Sequence, residues 1–172
     1  MAYMKNLMYL SLEYKKPNII RGGLIYCTGD TIAALLLSEF SVTRLITMIA
    51  VGATLYALEI PNYFKWIDSK TDGSQGVKKS LMKTLLALLY FNPLWIARHL
   101  FFIKISMMPW SEIYFYSLVS IAFYSFLVNI PISFVANFLI QNKVHLRWRF
   151  MASAVFSALM AIYYAMSVVW FN

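Results

Sequence analysis

The sequence predicts an all-α fold, a polytopic membrane bundle of about five transmembrane helices. Three observations carry this. Hydrophobic residues make up 61% of the 172-residue chain and charged residues only 13%, about half the charged share of a soluble domain. The charges gather between apolar runs instead of being spread along the chain. Each run lasts about 20 residues or more, the length a helix needs to cross hydrocarbon. Such a chain is too apolar for disorder. It also lacks the roughly ten-residue alternating segments of a transmembrane barrel. In lipid, the backbone of each run must satisfy its own hydrogen bonds, and a helix does so.

The first run covers about 18–37 and the second about 45–64. The third covers 81–108, the fourth 113–140 and the fifth 148–171. The third and fourth exceed one crossing, which predicts tilting or kinking. Pro93 and Pro131 are the expected kink sites, because proline removes a backbone donor and clashes with the preceding turn. The stretch 65–80, containing Thr71-Asp72-Gly73-Ser74-Gln75-Gly76, predicts a flexible polar loop between the second and third helices. All of 1–172 reads as one integral membrane domain. The first 16 residues are too polar for a cleavable signal, so the first helix is expected to serve as the insertion signal. A short echo links Glu59-Ile60-Pro61 and Phe64 with Asn129-Ile130-Pro131 and Phe134.

The net charge of +8 predicts topology and contact with anionic lipid headgroups on the N-terminal side, not nucleic acid. Five crossings place the N-terminus and the loops near Lys70 and Arg147 on one side, here called side A. That side collects Lys5, Lys15, Lys16, Lys65, Lys70, Lys78, Lys79, Lys143, Arg147 and Arg149, with Arg21 and Lys83 just inside. Side B receives Arg44 and Lys104, with Arg98 nearby. The bias makes side A the cytoplasm or the mitochondrial matrix. Trp66 and Trp148 fall at side A and Trp110 and Trp170 at side B, as an interfacial aromatic belt requires; Trp95 falls inside the third helix.

Enzyme motifs are absent: there is no HExxH, no phosphate-binding glycine loop and no GxSxG. His99 and His145 lie toward opposite faces, and Cys27 is the single cysteine. Neither a metal site nor a cofactor is expected, and Cys27 is expected to be buried. The informative residues are ionisable groups inside the membrane, which are costly there and mark either a wet path or a buried pairing. They are Arg21, Asp30, Glu59, Arg98 and Lys104, with His99 beside Arg98. Asp30 is expected near mid-membrane, as a pore carboxylate or one half of a packing ion pair. Arg21 and Lys104 are expected to snorkel toward headgroups. Arg21 and Glu59 also fall at similar depth on antiparallel helices, which predicts that they pair, with Asn62 or Asn129 as a further partner. Gly22, Gly29 and Ala33 in the first helix, and Ala154, Ala158, Ala161 and Ala165 in the fifth, form small-residue stripes suited to close helix packing.

Gly29-Asp30, Arg44, Thr47-Met48, Gly52 and Tyr63-Phe64-Lys65-Trp66-Ile67-Asp68 follow one another in order. Phe91-Asn92-Pro93, Pro131 with Ala136-Asn137-Phe138, and His145-Leu146-Arg147 come after them. This order resembles the Mpv/PMP-type family of small peroxisomal and mitochondrial inner-membrane proteins, over most of 17–167. The resemblance implies a multi-helix protein of the mitochondrial inner membrane, or else of a peroxisomal membrane, with a proposed channel activity. Asn137, in the motif that carries the resemblance, and Asn129 complete the candidate pore or structural polar site. Ala34, Leu35 and Phe134 stand where that family often carries glutamines. Tyr26-Cys27, Leu37-Ser38, Arg44-Leu45, Pro61 with Asp68, and Phe91-Asn92-Pro93 are similar to the bacterial L-alanine exporters of the inner membrane, a four-helix layout that leaves 148–172 over. Three functions follow as expectations: a small-solute channel, a structural subunit of a larger membrane complex, and an exporter of small amino acids.

Overall fold

The computed structural model describes residues 12–170, with side chains through Tyr163. Among the described residues, besides a short 3-10 turn at Trp110–Glu112, there are six helices: α1 (Lys16–Leu36), α2 (Val42–Thr71), α3 (Gly76–Tyr90), α4 (Pro93–Ile105), α5 (Phe115–Lys143) and α6 (Leu146–Trp170). No strand occurs among the described residues. Among the described residues, four spans are long and apolar enough to cross a membrane: α1, α2, α3 with α4, and α5. Helix α6 adds 25 residues whose only charges, Arg147 and Arg149, sit in its first turn. Lys5 and the side chains of Ala165 and Trp170 lie outside the described residues.

α1 packs most extensively on α2 and closely on α6 as well; α5 lies against α3, α4 and α6. Small residues set these crossings. A Cβ on Gly22 would stand 2.2 Å from the carbonyl oxygen of Gly52, so the α1 and α2 backbones touch. A Cβ on Gly29 would stand 2.5 Å from that of Ala158, so α1 and α6 touch as well. In lipid this contact matters, because no hydrophobic driving force pulls apolar helices together and close van der Waals packing takes its place. At the Gly22 contact, α2 widens into a π-helical turn, Gly52–Tyr56.

α1 ends in a reverse turn that leads directly into α2. Ser38 donates its backbone N–H to Leu35, and Glu39 donates to Ala34, the paired bonds of a Schellman ending. Ser38 takes the left-handed position with φ 58°, where glycine is usual. The Ser41 hydroxyl then accepts the N–H of Arg44 and caps α2.

Three sequence expectations are corrected. The third run does not kink at Pro93; it stops and restarts. The Asn92 side chain accepts the N–H groups of Leu94 and Trp95, and Pro93 fills the first turn of α4, where no donor is needed. The polar loop is not 65–80. α2 continues to Thr71 and α3 starts at Gly76, so only 72–75 is non-helical. Asp68 and Lys83 on its flanks are ion-paired, which lets polar helix ends persist outside hydrocarbon. Cys27 is half-buried and free, not buried. Pro131, by contrast, stays within a continuous α5.

The outer surface is apolar. Leu24, Leu127, Val128, Ile132, Val135 and Leu139 are all exposed. Isolated exposed leucines are ordinary, but a continuous apolar exterior on helices of this length is a lipid-facing one.

Candidate functional site: the buried polar network

Hydrogen-bonding groups point inward, and they fall into two sets. The first is a series of ion pairs tying neighbouring helices together. Arg44 grips Asp30 through Nε to Oδ2 and Nη2 to Oδ1, both 2.8 Å, and its Nη1 donates to Glu39 at 3.1 Å. Both main partners have side chains only 2% exposed. Deeper toward side A, Arg98 grips Glu59 at 3.0 and 2.7 Å, and the Tyr90 hydroxyl donates to the same carboxylate at 2.8 Å. At side A, Arg149 donates to both oxygens of Asp68 at 2.8 Å and Lys83 adds a third bond. Two-pronged guanidinium–carboxylate contacts fix geometry as well as charge. Glu13, before α1, pairs with Lys15 and Lys65, which hold its carboxyl below the usual value. Its backbone is clasped by Asn62, with bonds of 2.9 Å in both directions.

These pairings correct the expected Arg21–Glu59 contact. Glu59 faces α3 and α4 and is taken by Arg98 and Tyr90, whereas the Arg21 guanidinium lies 4.7 Å over the Trp148 ring on α6. Equal depth did not determine direction around the helix. Asn62 and Asn129 likewise bond elsewhere. Asp30 lies six residues before the last residue of α1.

His99 is buried between aromatic rings. Trp95 stacks on it with centroids 5.6 Å apart and planes 4° apart, and the Tyr56 hydroxyl hydrogen-bonds with its Nδ1 at 3.0 Å. His145 accepts the N–H of Arg147 at the start of α6. No cluster of three His, Cys, Asp or Glu placed to hold a metal occurs among the described residues.

The second set is a stripe along α5. Ser125, Asn129, Ser133, Asn137 and Gln141 recur every four residues and are all buried. This spacing sets each beside the next in a stripe that winds slowly round the helix, over about 24 Å of rise. Asn129 donates to the Ser133 hydroxyl at 2.8 Å and to the Met160 sulfur on α6 at 3.1 Å. Asn137 donates to the Ser133 carbonyl at 2.8 Å. Tyr163 of α6 donates to the Ser125 carbonyl at 3.0 Å, and Asn142 reaches the Ser80 carbonyl on α3 at 3.3 Å. The Asn129 Oδ1 and both amide atoms of Gln141 are buried and have no hydrogen-bond partner among the described residues. An unpaired buried amide costs several kcal/mol in hydrocarbon, of the order given by cyclohexane transfer.

The candidate residues thus separate. Asp30, Glu59 and Arg98 belong to the ion pairs. Asn129 and Asn137 belong to the α5 stripe, His99 to the aromatic core, and Arg21 to the α1–α6 seam. The sequence reading missed Arg44 as the partner of Asp30, and Ser125, Ser133 and Gln141 as members of the stripe. The four-residue recurrence of polar residues in an apolar run was the signal for the stripe. No family model, curated protein or solved structure matches the chain. Fold and site together define an integral membrane helix bundle with a polar interior.

Proposed function

We propose that the protein is a membrane channel for small, neutral, polar solutes, which pass along the α5 stripe against α6 and α3. One observation carries this reading: five neutral hydrogen-bonding side chains are buried in succession along about 24 Å of α5, and the Asn129 side-chain carbonyl and the whole Gln141 amide find no partner among the described residues. A seam serving packing alone gains nothing from unpaired amides, whereas a seam that exchanges its partners for water or solute needs them. The charged residues do not join it; their carboxylates are already occupied by guanidinium groups. The stripe therefore suits amides and hydroxyls of an uncharged solute better than the zwitterion an amino acid exporter would carry. The basic side A supports the mitochondrial matrix or the bacterial cytoplasm as the compartment it faces, and the Mpv/PMP-type resemblance supports the mitochondrial inner membrane.

The full burial of Ser125 and Gln141 favours a second reading, a structural subunit of a larger membrane complex. Cysteine accessibility separates the two. In a Cys27→Ser background, Ser133→Cys and Asn137→Cys are expected to react with a membrane-impermeant thiol reagent, while the lipid-facing Val135→Cys stays unreactive. Unreactive seam positions, together with migration only inside a large assembly, would support the structural reading.

A further inference from the structure

The α1–α6 seam carries two recesses in sequence from side A. The first is a basin of about 470 Å³, within the range of ligand sites. Lys15, Arg21, Lys65, His145 and Arg147 line it together with Glu13. Glu13 is the one carboxylate among these and is taken by Lys15 and Lys65, so four cations face one anion. Arg21 and Arg147 pair with no carboxylate among the described residues. Both instead lie over the Trp148 ring, at 4.7 and 5.1 Å. Two uncompensated guanidinium groups held on an aromatic plate form a site for a phosphate.

The second recess begins one helical turn deeper on α1. It is a groove of about 260 Å³, walled by Leu24, Thr28 and Ile32 of α1 and Val155, Leu159 and Ile162 of α6. It opens to lipid, since Leu24 and Leu159 are exposed. Its floor is the close contact of Gly29 with Ala158, where small side chains leave the space. The residues 21, 24, 25, 28 and 32 follow the three-and-four spacing of one helix face, so basin and groove share one stripe of α1.

We infer that this seam holds one anionic diacyl phospholipid. Its phosphate sits in the basin against Arg21 and Arg147, and one acyl chain lies in the groove. A free phosphate has no use for the groove, and a zwitterionic lipid brings no net charge to match four cations. The site is separate from the α5 stripe and does not depend on its transport role.

Native mass spectrometry of the full-length protein in detergent tests it. Phosphatidylglycerol, phosphatidylcholine of the same chains, and inorganic phosphate are added in turn. One phosphatidylglycerol per chain is expected, in preference to phosphatidylcholine and not displaced by inorganic phosphate. Arg21→Gln with Arg147→Gln is expected to weaken it about 25-fold, at roughly fivefold per basic residue near an anionic surface. Thr28→Trp, which fills the groove and leaves every charge, is expected to weaken it as well. If the arginine pair fails to fold, Lys15→Gln with Arg147→Gln, both at exposed positions, carries the same expectation. Equal binding of phosphatidylcholine, or binding unchanged in the charge variant, would overturn the inference. So would displacement by inorganic phosphate together with indifference to Thr28→Trp, which would mark a free-anion site.

Discussion

Arg44 and Asp30, fourteen residues apart, are joined by two parallel hydrogen bonds of 2.8 Å across the α1–α2 hairpin, with neither side chain more than 2% exposed. The Schellman turn at Ser38 and the cap at Ser41 aim the start of α2 so that its first-turn arginine reaches back along α1. The pair therefore fixes the hairpin. Removing one partner is expected to be worse than removing both. Asp30→Ala should cost about 3–5 kcal/mol, because it strands a buried guanidinium. Asp30→Leu combined with Arg44→Met should lie within about 2 kcal/mol of the parent, since buried pairs are often replaceable by apolar residues. Unfolding in detergent, read as a double-mutant cycle, checks this. Additive single effects would contradict it.

The glycines divide by what surrounds them. Gly22→Val is expected to abolish folded protein, since a Cβ there meets the Gly52 carbonyl at 2.2 Å and backbone cannot yield. Gly73→Ala should change stability by less than about 0.5 kcal/mol, because nothing lies within 4 Å. Ser38→Gly should gain up to about 1 kcal/mol by relieving a left-handed backbone. Size-exclusion yield and thermal unfolding of the three variants separate these outcomes.

Much of the fold was legible because membrane helices announce themselves by length and charge. All five apolar runs correspond to helices, and Gly29 and Ala158 meet as their small side chains suggested. What sequence could not give was azimuth. Depth along the axis follows from counting residues, but direction around it depends on which helices are neighbours. Glu59 therefore found Arg98 and not Arg21. Helix ends were blurred for a related reason: Asp68, Lys83 and Arg149 are polar, yet they pair with one another and stay helical. The α5 stripe was readable in its four-residue spacing, but single asparagines in an apolar run draw less notice than charges do.

Acid is expected to loosen the segment before α1. The Glu13 carboxyl is held below its usual value of 4.5 by Lys15 and Lys65. A depressed carboxylate contributes stability above its unfolded pKa and loses it as pH falls through the folded one. Protection of the amides at residues 12–16 from hydrogen exchange, relative to their intrinsic rates at each pH, should therefore fall below about pH 4.5. Glu13→Gln should show the lower protection at every pH. A profile identical in both proteins would contradict the assignment.

The five-crossing arrangement puts Gly73 on side A and Ser111 on side B. In the Cys27→Ser background, Gly73→Cys and Ser111→Cys should label from opposite sides of sealed, oriented vesicles. Labelling of both from one side would contradict the topology.

The transport claim is tested most directly by solute flux through reconstituted liposomes. Vesicles containing the protein are expected to pass a small polyol such as xylitol well above the protein-free rate. Asn137→Leu with Gln141→Leu should lower that flux by roughly tenfold or more, the equivalent of one lost hydrogen bond of about 1.4 kcal/mol. Folded yield should be unchanged or higher, since an unpaired buried amide is gone. Flux equal to protein-free vesicles, or flux indifferent to both leucines, would contradict a path along α5.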